Sequence, residues 1–350
     1  MLRIQKSEKE IVCGESMVEL FDKVDSVLIR NAHDYWKNPL VNKYFGDSVS
    51  DEIEGYLVLR KGKKAMWLSH PFNYAQVKKR FGKTIIVKKY SNEKAFKKFL
   101  GNELGKKVGF DARFESVSWL KVLKMLFKKK KFVDVSEQLI KSRIIKDKSE
   151  IVKIEKATRE TENVLSQVKG WLKKGKSEIE IKERIEREFK NNGFETAFCI
   201  VAFGTNTSNI HHVSGNKKFT SGAVMIDVGA KYKGYCADVT KTFWIGKENA
   251  EFEKKYARVK STLDLVESLL RPGTFAKDLA EAVKPLKMPH ALGHGIGLEA
   301  HDFPTGISKK AKWKLEEGMI LAIEPGIYTK KFGIRIENDY LITKSGFKQL

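Results

Sequence analysis

The stretch MIDVGAKYKGYCADVTKTF, Met225 to Phe243, joins two strand-like apolar runs and carries two aspartates. Alternation along AVMIDVG places its valines and isoleucine on one face of a predicted strand and Asp227 on the opposite face. Asp238 directly precedes the second run, VTKTFWIG. A buried carboxylate is costly without a partner, so the pair alone is typical of hydrogen-bonded turn or edge residues, and the rest of the chain must decide whether a cation balances it.

Three further segments place ionisable side chains in apolar surroundings. PHALGHGIGLEAHDFP holds His294 between glycines, GMILAIEPGIY holds Glu324, and GIRIENDYLIT holds Glu337 inside a strand-like run. One such residue is an oddity, whereas four carboxylates and a glycine-flanked histidine predict a convergent cation site. Two divalent ions would balance the four carboxylates, with His294 as a neutral ligand.

The types of the predicted ligand residues also restrict which metal ion we expect. Carboxylates with one imidazole suit Mn, Co, Fe or Zn better than a metal selected by thiolates. The glycines around His294 have the spacing GxGxG rather than GxGxxG, so a nucleotide-binding loop is a weak alternative. We expect these glycines to let the backbone approach the metals or the substrate closely.

The 350-residue length favours one large domain or two ordinary ones. Before residue 140 the chain alternates short strand and helix patterns, including a hairpin, GYLVLRKGKKAMWLSH, with Lys61-Gly62-Lys63 at its turn. Beyond it, Asp147 with Glu150 and Ser177 with Glu180 predict two capped helices. The fold class is therefore α/β (α+β), with domains at 1–140 and 141–350.

Composition restricts the cellular location and the partners that we expect for the protein. Three widely separated cysteines without a CxxC pattern, a start without an apolar signal region and the lack of a long apolar run predict a cytoplasmic protein. The net charge of +23 is spread along the chain, and its densest run, FKKKKF, is expected to be a solvated surface, with an anionic partner as the alternative.

Four motifs carry a family resemblance. IDVGAKYKGYCADVTKTF, GHGIGLEAHD, ILAIEPGIY and GIRIENDYLIT, in this order, resemble the metallopeptidase family of Xaa-Pro dipeptidases (prolidases), aminopeptidases P and methionine aminopeptidases. The resemblance covers about residues 150 to 345 and implies the pita-bread α/β fold. The preceding domain is similar to the creatinase-like domain of the prolidase and aminopeptidase P branch, which implies a metal-dependent Xaa-Pro peptidase.

The resemblance implies a role for each ligand. Asp227 would bind one metal, Asp238 and Glu337 would bridge both metals, and a hydroxide between the ions would attack the carbonyl before proline. His294 and Glu324 would complete the second metal site.

Further residues would act on the substrate. Glu324 would also take a proton from the bridging water and pass it to the leaving nitrogen. His301 matches the family histidine that stabilises the oxyanion. His211 matches a substrate-side histidine, although His212 is close enough to be confused with it and Ile210 stands where the family usually has proline.

Two positions bear on substrate recognition. Arg335 matches a common family arginine, expected to bind substrate or to support the metal carboxylates, with a surface ion pair as the alternative. Thr305 stands where several prolidases have an arginine that grips the carboxylate of a dipeptide. This difference favours cleavage of longer Xaa-Pro peptides over strict dipeptidase activity.

The resemblance also implies partners. It implies a homodimer in which the N-terminal domain shapes the partner's substrate pocket; neither a membrane nor a nucleic acid is expected as a partner. Methionine aminopeptidase-like activity is one alternative, which the domain before residue 140 disfavours. A non-catalytic binding module of the nucleic-acid or chromatin type is another, which the complete ligand set disfavours.

Overall fold

A computed structural model describes residues 20–32, 37–45 and 53–350 of the chain. The chain divides into two compact units, Met1–Ser142 and Arg143–Leu350. Within the described residues, none of the helices combines the length and apolar character that a membrane span requires.

The first unit is built on one mixed sheet of six strands in the order β4-β3-β2-β1-β5-β6. Strands β1, β2 and β3 are antiparallel neighbours, whereas β4, β5 and β6 join the sheet in parallel. The strands are β1 (Ser26–Asn31), β2 (Gly55–Arg60), β3 (Met66–Ser69), β4 (Ile86–Lys89), β5 (Lys107–Phe110) and β6 (Lys131–Asp134). The helices are α1 (Leu20–Lys23), α2 (Leu40–Phe45), α3 (Tyr74–Phe81), α4 (Glu93–Glu103), α5 (Val117–Leu126) and α6 (Ser136–Ile144).

The predicted hairpin is confirmed, with Gly62 at a φ of 63° in the turn between β2 and β3. Glycine adopts such an angle without the steric cost that a side chain brings. Helix α3 begins at Tyr74, after a turn in which the Tyr74 N–H meets the Pro71 carbonyl at 3.4 Å.

In the second unit, two long helices pack on a sheet of antiparallel strands in the order β10-β8-β7, with β9 beside β8. Val224, Ile226 and Val228 of β8 point into the apolar core beneath the helices, as the alternation predicts. The elements are α7 (Lys148–Trp171), α8 (Glu178–Asn191), β7 (Glu195–Phe203), β8 (Gly222–Tyr232), β9 (Tyr235–Cys236) and β10 (Val239–Ile245).

The rest of the second unit has its own apolar core, formed by two helices and short strands. A sheet runs in the order β11-β12-β15-β16, and β13 pairs with β14 as a ribbon. The elements are α9 (Ala250–Glu267), α10 (Ala276–Ala282), β11 (Gly293–Gly295), β12 (Ile320–Ile323), β13 (Gly326–Tyr328), β14 (Gly333–Arg335), β15 (Asn338–Ile342) and β16 (Phe347–Gln349).

Both predicted capping boxes are present, at the starts of α7 and α8. Asp147 accepts from the Ser149 and Glu150 N–H groups at 2.8 and 3.0 Å. We expect Asp147→Ala to lower the free energy of unfolding by about 1 kcal/mol, since it leaves helix N–H groups without an acceptor. Asp147→Asn keeps the cap and is the control in urea unfolding; equal losses in the two variants would contradict the assignment.

Candidate metal centre and substrate pocket

Strand β8 presents Asp227 on the face opposite its apolar residues. The side chain is nearly buried, at 8% exposure. Its Oδ2 accepts from the Arg335 guanidinium at 2.5 Å, whereas its buried Oδ1 has no hydrogen-bond partner among the described residues. An unpartnered buried carboxylate oxygen is a costly feature that a bound cation would relieve.

Two other carboxylates lie at breaks in strands, so their predicted placement inside strands is wrong. Glu324 directly follows β12, and Glu337 lies between β14 and β15. The Glu324 N–H bonds the Leu292 carbonyl at 2.8 Å, one step past the Gly293–Ile323 pair of β11 and β12, whereas the Glu337 N–H bonds the Thr240 carbonyl of β10 at 3.1 Å. Both side chains line the same cavity. Asp238 directly precedes β10, as expected.

His294 lies in the middle of β11. Its Nδ1 lies 3.0 Å from the Gly295 carbonyl as a donor, which leaves Nε2 3.7 Å from Asp238 Oδ2 and 3.8 Å from Glu324 Oε1. Burial lowers the pKa of His294 to about 4, so the ring is neutral near pH 7 and Nε2 keeps its lone pair.

The flanking glycines allow neighbouring backbone segments to pack closely against the strand. A Cβ at Gly293 would meet the Ala322 carbonyl oxygen at 2.0 Å, and one at Gly295 would meet the Phe303 carbonyl oxygen at 2.3 Å. The strand that carries His294 therefore needs both glycines to fit between its neighbours, and their close approach to metals or substrate stays a prediction.

The five residues predicted as ligands come together as overlapping groups. Asp227, Asp238 and Glu337 have carboxylate oxygens within 4.8 Å of one another, and the same holds for one atom each of His294, Glu324 and Glu337. Glu337 belongs to both groups, as expected of a bridging ligand. Asp238 also forms a group with His294 and His301.

The electrostatics of this cluster favour a cation. Burial, followed by repulsion from neighbouring carboxylates, raises the pKa of Asp238 and Glu337 well above the usual range. Burial likewise raises the pKa of Glu324 to about 8, while Arg335 acts in the opposite direction. Carboxylates packed this closely, with an unpartnered oxygen on Asp227, fit divalent cations in the donor chemistry that they offer.

Groups outside the cluster hold its ligands in place. The Thr240 hydroxyl donates to Glu337 Oε2 at 2.6 Å. Asp339 Oδ2 accepts from the Asp238 N–H at 3.1 Å and from the Thr158 hydroxyl of α7 at 2.9 Å. Asp339 is fully buried, and burial raises its pKa to about 7. These contacts were not predicted, because their partners lie far apart in the sequence.

The cluster forms one wall of a cavity of about 500 Å³, large enough for a short peptide. His301 lies in the wall, with its ring centroid 4.2 Å from that of His294. His211 also lines the cavity, whereas the His212 ring turns away to Glu178 at 2.8 Å. The structure thus places His211, and not its neighbour, beside the cluster.

Arg335 is 1% exposed, so the alternative of a surface ion pair is wrong. Its guanidinium lines the cavity but is held by the protein. It donates to Asp227 Oδ2, to the Thr240 hydroxyl at 3.1 Å and to the Tyr328 hydroxyl at 3.0 Å. These contacts favour support of Asp227 over direct binding of substrate.

His290, which none of the sequence predictions included, also lines the cavity. Its Nδ1 donates to the Ala291 carbonyl at 2.7 Å and lies 3.7 Å from Glu324 Oε2, and its Nε2 accepts from the Tyr328 hydroxyl at 2.9 Å. The H-x-x-x-H spacing with His294 was a usable signal. The contact with Tyr328 had no local signature.

Comparison with known proteins now assigns the class. Residues 152–344 match the model of metallopeptidase family M24, and residues 44–145 match the creatinase/prolidase N-terminal domain. The first match covers more than half of the chain, and the chain belongs to metallopeptidase family M24.

The chain is also similar to individual Xaa-Pro peptidases over nearly its whole length. The chain is 32% identical to a Xaa-Pro dipeptidase of Pyrococcus horikoshii over 96% of this chain and 95% of that protein. The crystal structure of the prolidase from the same organism superposes with a TM-score of 0.83 at 32% identity, covering 95% and 96% of the two chains. An X-Pro aminopeptidase structure from Thermotoga maritima gives 0.83 at 25% identity over 93% and 95%.

These similarities confirm the predicted family and fold class, a creatinase-like N-terminal domain followed by a pita-bread metallopeptidase domain. They do not favour a methionine aminopeptidase-like enzyme or a non-catalytic binding module.

Proposed function

We propose that the protein is a metal-dependent Xaa-Pro peptidase that hydrolyses the bond before proline. One observation carries the proposal: the five carboxylate and imidazole ligands lie in the wall of the same cavity as His211 and His301. Relatives named Xaa-Pro dipeptidase, prolidase and X-Pro aminopeptidase support this choice of substrate.

In the proposed centre, two divalent ions would be held by Asp227, Asp238, His294, Glu324 and Glu337. Asp238 and Glu337 would serve both ions, in keeping with the place of Glu337 in both ligand groups. Ions such as Mn, Co, Fe or Zn would supply Lewis-acid activation of water and of the scissile carbonyl there.

Glu324 handles the proton. Its carboxylate lies between His294 and His290 and is 17% exposed, so it reaches water in the cavity. As the water oxygen attacks the carbonyl carbon, Glu324 takes the proton. It returns the proton to the proline nitrogen as the C–N bond breaks. Two products result, the free N-terminal residue and the peptide or amino acid that begins with proline.

His301 and His211 stabilise the charge that develops on the carbonyl oxygen. Burial lowers the pKa of His301, so the ring is neutral near pH 7 and presents one N–H donor. Donors that are already in position at a developing oxyanion contribute more than similar donors in water. Arg335 assists from within the wall by fixing Asp227 and Tyr328.

We expect the enzyme to be a cytoplasmic homodimer that binds neither a membrane nor a nucleic acid. Light scattering at two protein concentrations checks the dimer, and a fluorescent duplex in a titration checks nucleic-acid binding. A monomer at micromolar concentration would contradict the first expectation.

The test of function uses metal-stripped protein reloaded with Mn or Co. Ala-Pro, Ala-Pro-Ala and Met-Ala-Ser are offered in parallel, and cleavage of a proline peptide supports the proposal. Cleavage of the Met peptide alone would move the protein to the methionine aminopeptidase branch. No cleavage in spite of bound metal would contradict a peptidase.

The preference for substrate length should follow Thr305, which is exposed and lies outside the residues that line the cavity. We expect faster cleavage of Ala-Pro-Ala than of Ala-Pro. Thr305→Arg should raise kcat/KM for Ala-Pro about tenfold, as one added charged hydrogen bond allows. Thr305→Gln supplies length without charge and is the control; a dominant dipeptide rate in the unaltered protein would refute the role of Thr305.

A further inference from the structure

The His211 side chain is exposed in the cavity, and none of the described residues forms a hydrogen bond with its ring. Its position therefore depends on the loop that carries it, residues 203–215, which leaves β7, passes through a 3-10 helix at Gly204–Ser208 and returns beside α8. The groups that hold this loop determine where the imidazole meets a substrate.

A single buried carboxylate holds the loop from inside. Glu178, the first residue of α8, is 0% exposed. Four loop donors converge on it: Oε1 accepts from the Phe203 N–H and the Asn206 amide, each at 2.8 Å, and Oε2 accepts from the His212 ring at 2.8 Å and the Gly215 N–H at 3.1 Å. Hydrogen bonds to an ionised carboxylate are stronger than neutral ones, and more so when water is excluded.

The capping box leaves Glu178 free for this task. Ser177 and Glu180 satisfy each other and the start of α8. The Glu178 carboxylate is therefore not needed to cap the helix, and its contacts all reach residues of the loop.

His212 is the link to the cavity. Its Nε2 faces Glu178 and leaves the ring mostly buried. Because His211 and His212 are adjacent, fixing the ring of the second fixes the backbone from which the first projects. The Ile210 carbonyl faces the Arg335 guanidinium at 3.4 Å, so the loop is also tied to the partner of Asp227.

We propose that Glu178 and His212 are positioning residues that set the place of His211 against the substrate carbonyl. The inference rests on the proposed role of His211. Neither residue lines the cavity or belongs to a ligand group, so their removal should reduce catalysis without loss of metal. A misplacement of about 1 Å in an active-site group costs about 100-fold in rate.

Glu178→Gln is the first variant. Its amide keeps one acceptor oxygen, but its NH₂ group faces the donors on His212 and Gly215. We expect kcat/KM for Ala-Pro-Ala to fall about 10- to 100-fold, mainly through kcat, with unchanged metal content. Glu180→Gln, which weakens the capping box two residues away, is the matched control. It should lower stability slightly and leave activity unchanged.

Substitutions of His212 give a second pair of variants, which leave the Glu178 carboxylate in place. His212→Ala removes the link and should lower kcat/KM in the same way. His212→Gln offers an N–H donor to Glu178 and should restore part of the rate. A merely structural role would not produce this recovery at equal unfolding temperatures.

A double-mutant cycle with His211→Ala decides the proposal. If Glu178 acts through His211, the double variant loses no more activity than His211→Ala alone. Additive losses, or a Glu178→Gln protein of lower unfolding temperature but full activity, would overturn the positioning role. A His211→Ala variant with full activity would instead contradict the proposed role of His211, which separates the two failures.

Discussion

Glu337→Gln should eliminate measurable peptidase activity, a loss of at least about 1,000-fold in kcat/KM. The carboxylate belongs to both ligand groups, so replacing one charged oxygen by an amide nitrogen weakens both metal sites together. Elemental analysis after dialysis should show less than half of the metal bound by the unaltered protein. This is the largest effect that we expect from any single substitution in the chain.

The same substitution should have the opposite effect on the metal-free protein. Glu337 is 2% exposed, and burial with neighbouring carboxylates makes its charged form unfavourable, as its raised pKa shows. Replacing a buried charge by a neutral group of the same shape is often neutral or stabilising. We therefore expect metal-free Glu337→Gln to melt at or above the temperature of metal-free unaltered protein, and below it once metal is added.

Glu316→Gln, at an exposed carboxylate of the same unit, is the control and should change neither metal content nor activity. If metal-free Glu337→Gln melts far below the unaltered protein, Glu337 is a structural hydrogen-bond acceptor and not a strained ligand. Full metal content in the variant would contradict a bridging position.

Arg335→Met should give the second-largest effect, about 3 kcal/mol of stability and about 100-fold in kcat/KM. Removing the guanidinium leaves the nearly buried Asp227 carboxylate without its ion-pair partner, and breaking a buried pair on one side is strongly destabilising. It also frees the Tyr328 and Ile210 contacts. Arg335→Lys should recover little, because an ammonium cannot reproduce the planar fork of donors.

Peptide amides separate this role from substrate binding. If Arg335 gripped a substrate carboxylate, the variant would lose activity on Ala-Pro-Ala and none on its C-terminal amide. We expect equal losses on both substrates, accompanied by weaker metal retention. A loss confined to the free acid would assign Arg335 to the substrate.

Local periodicity was enough to place some of these residues. Asp227 was predicted opposite Val224, Ile226 and Val228 because strands alternate and the apolar set packs against helices. The capping boxes could also be predicted from the sequence, since both partners of each box lie within one helical turn. The order of the motifs then indicated the family, and with it the ligand set.

Other features depended on contacts that the sequence does not display. An apolar run cannot show that the strands end before Glu324 and Glu337, because strand ends are set by pairing with distant segments. The position of the His290 ring depends on its contact with Tyr328, and the role of Glu178 depends on four donors in a separate loop. In the sequence Glu178 resembles any glutamate near the start of an amphipathic helix.

The ligands are divided between two sheets with separate apolar cores. Asp227 and Asp238 lie on or beside strands packed with the core under α7 and α8, whereas His294 and Glu324 lie on or beside β11 and β12 of the other sheet. Bound ions would therefore cross-link two halves of the fold, and a chelator could remove this cross-link. Removing the metal should let the halves open separately, so that hydrogen exchange reports two rates where the loaded protein shows one.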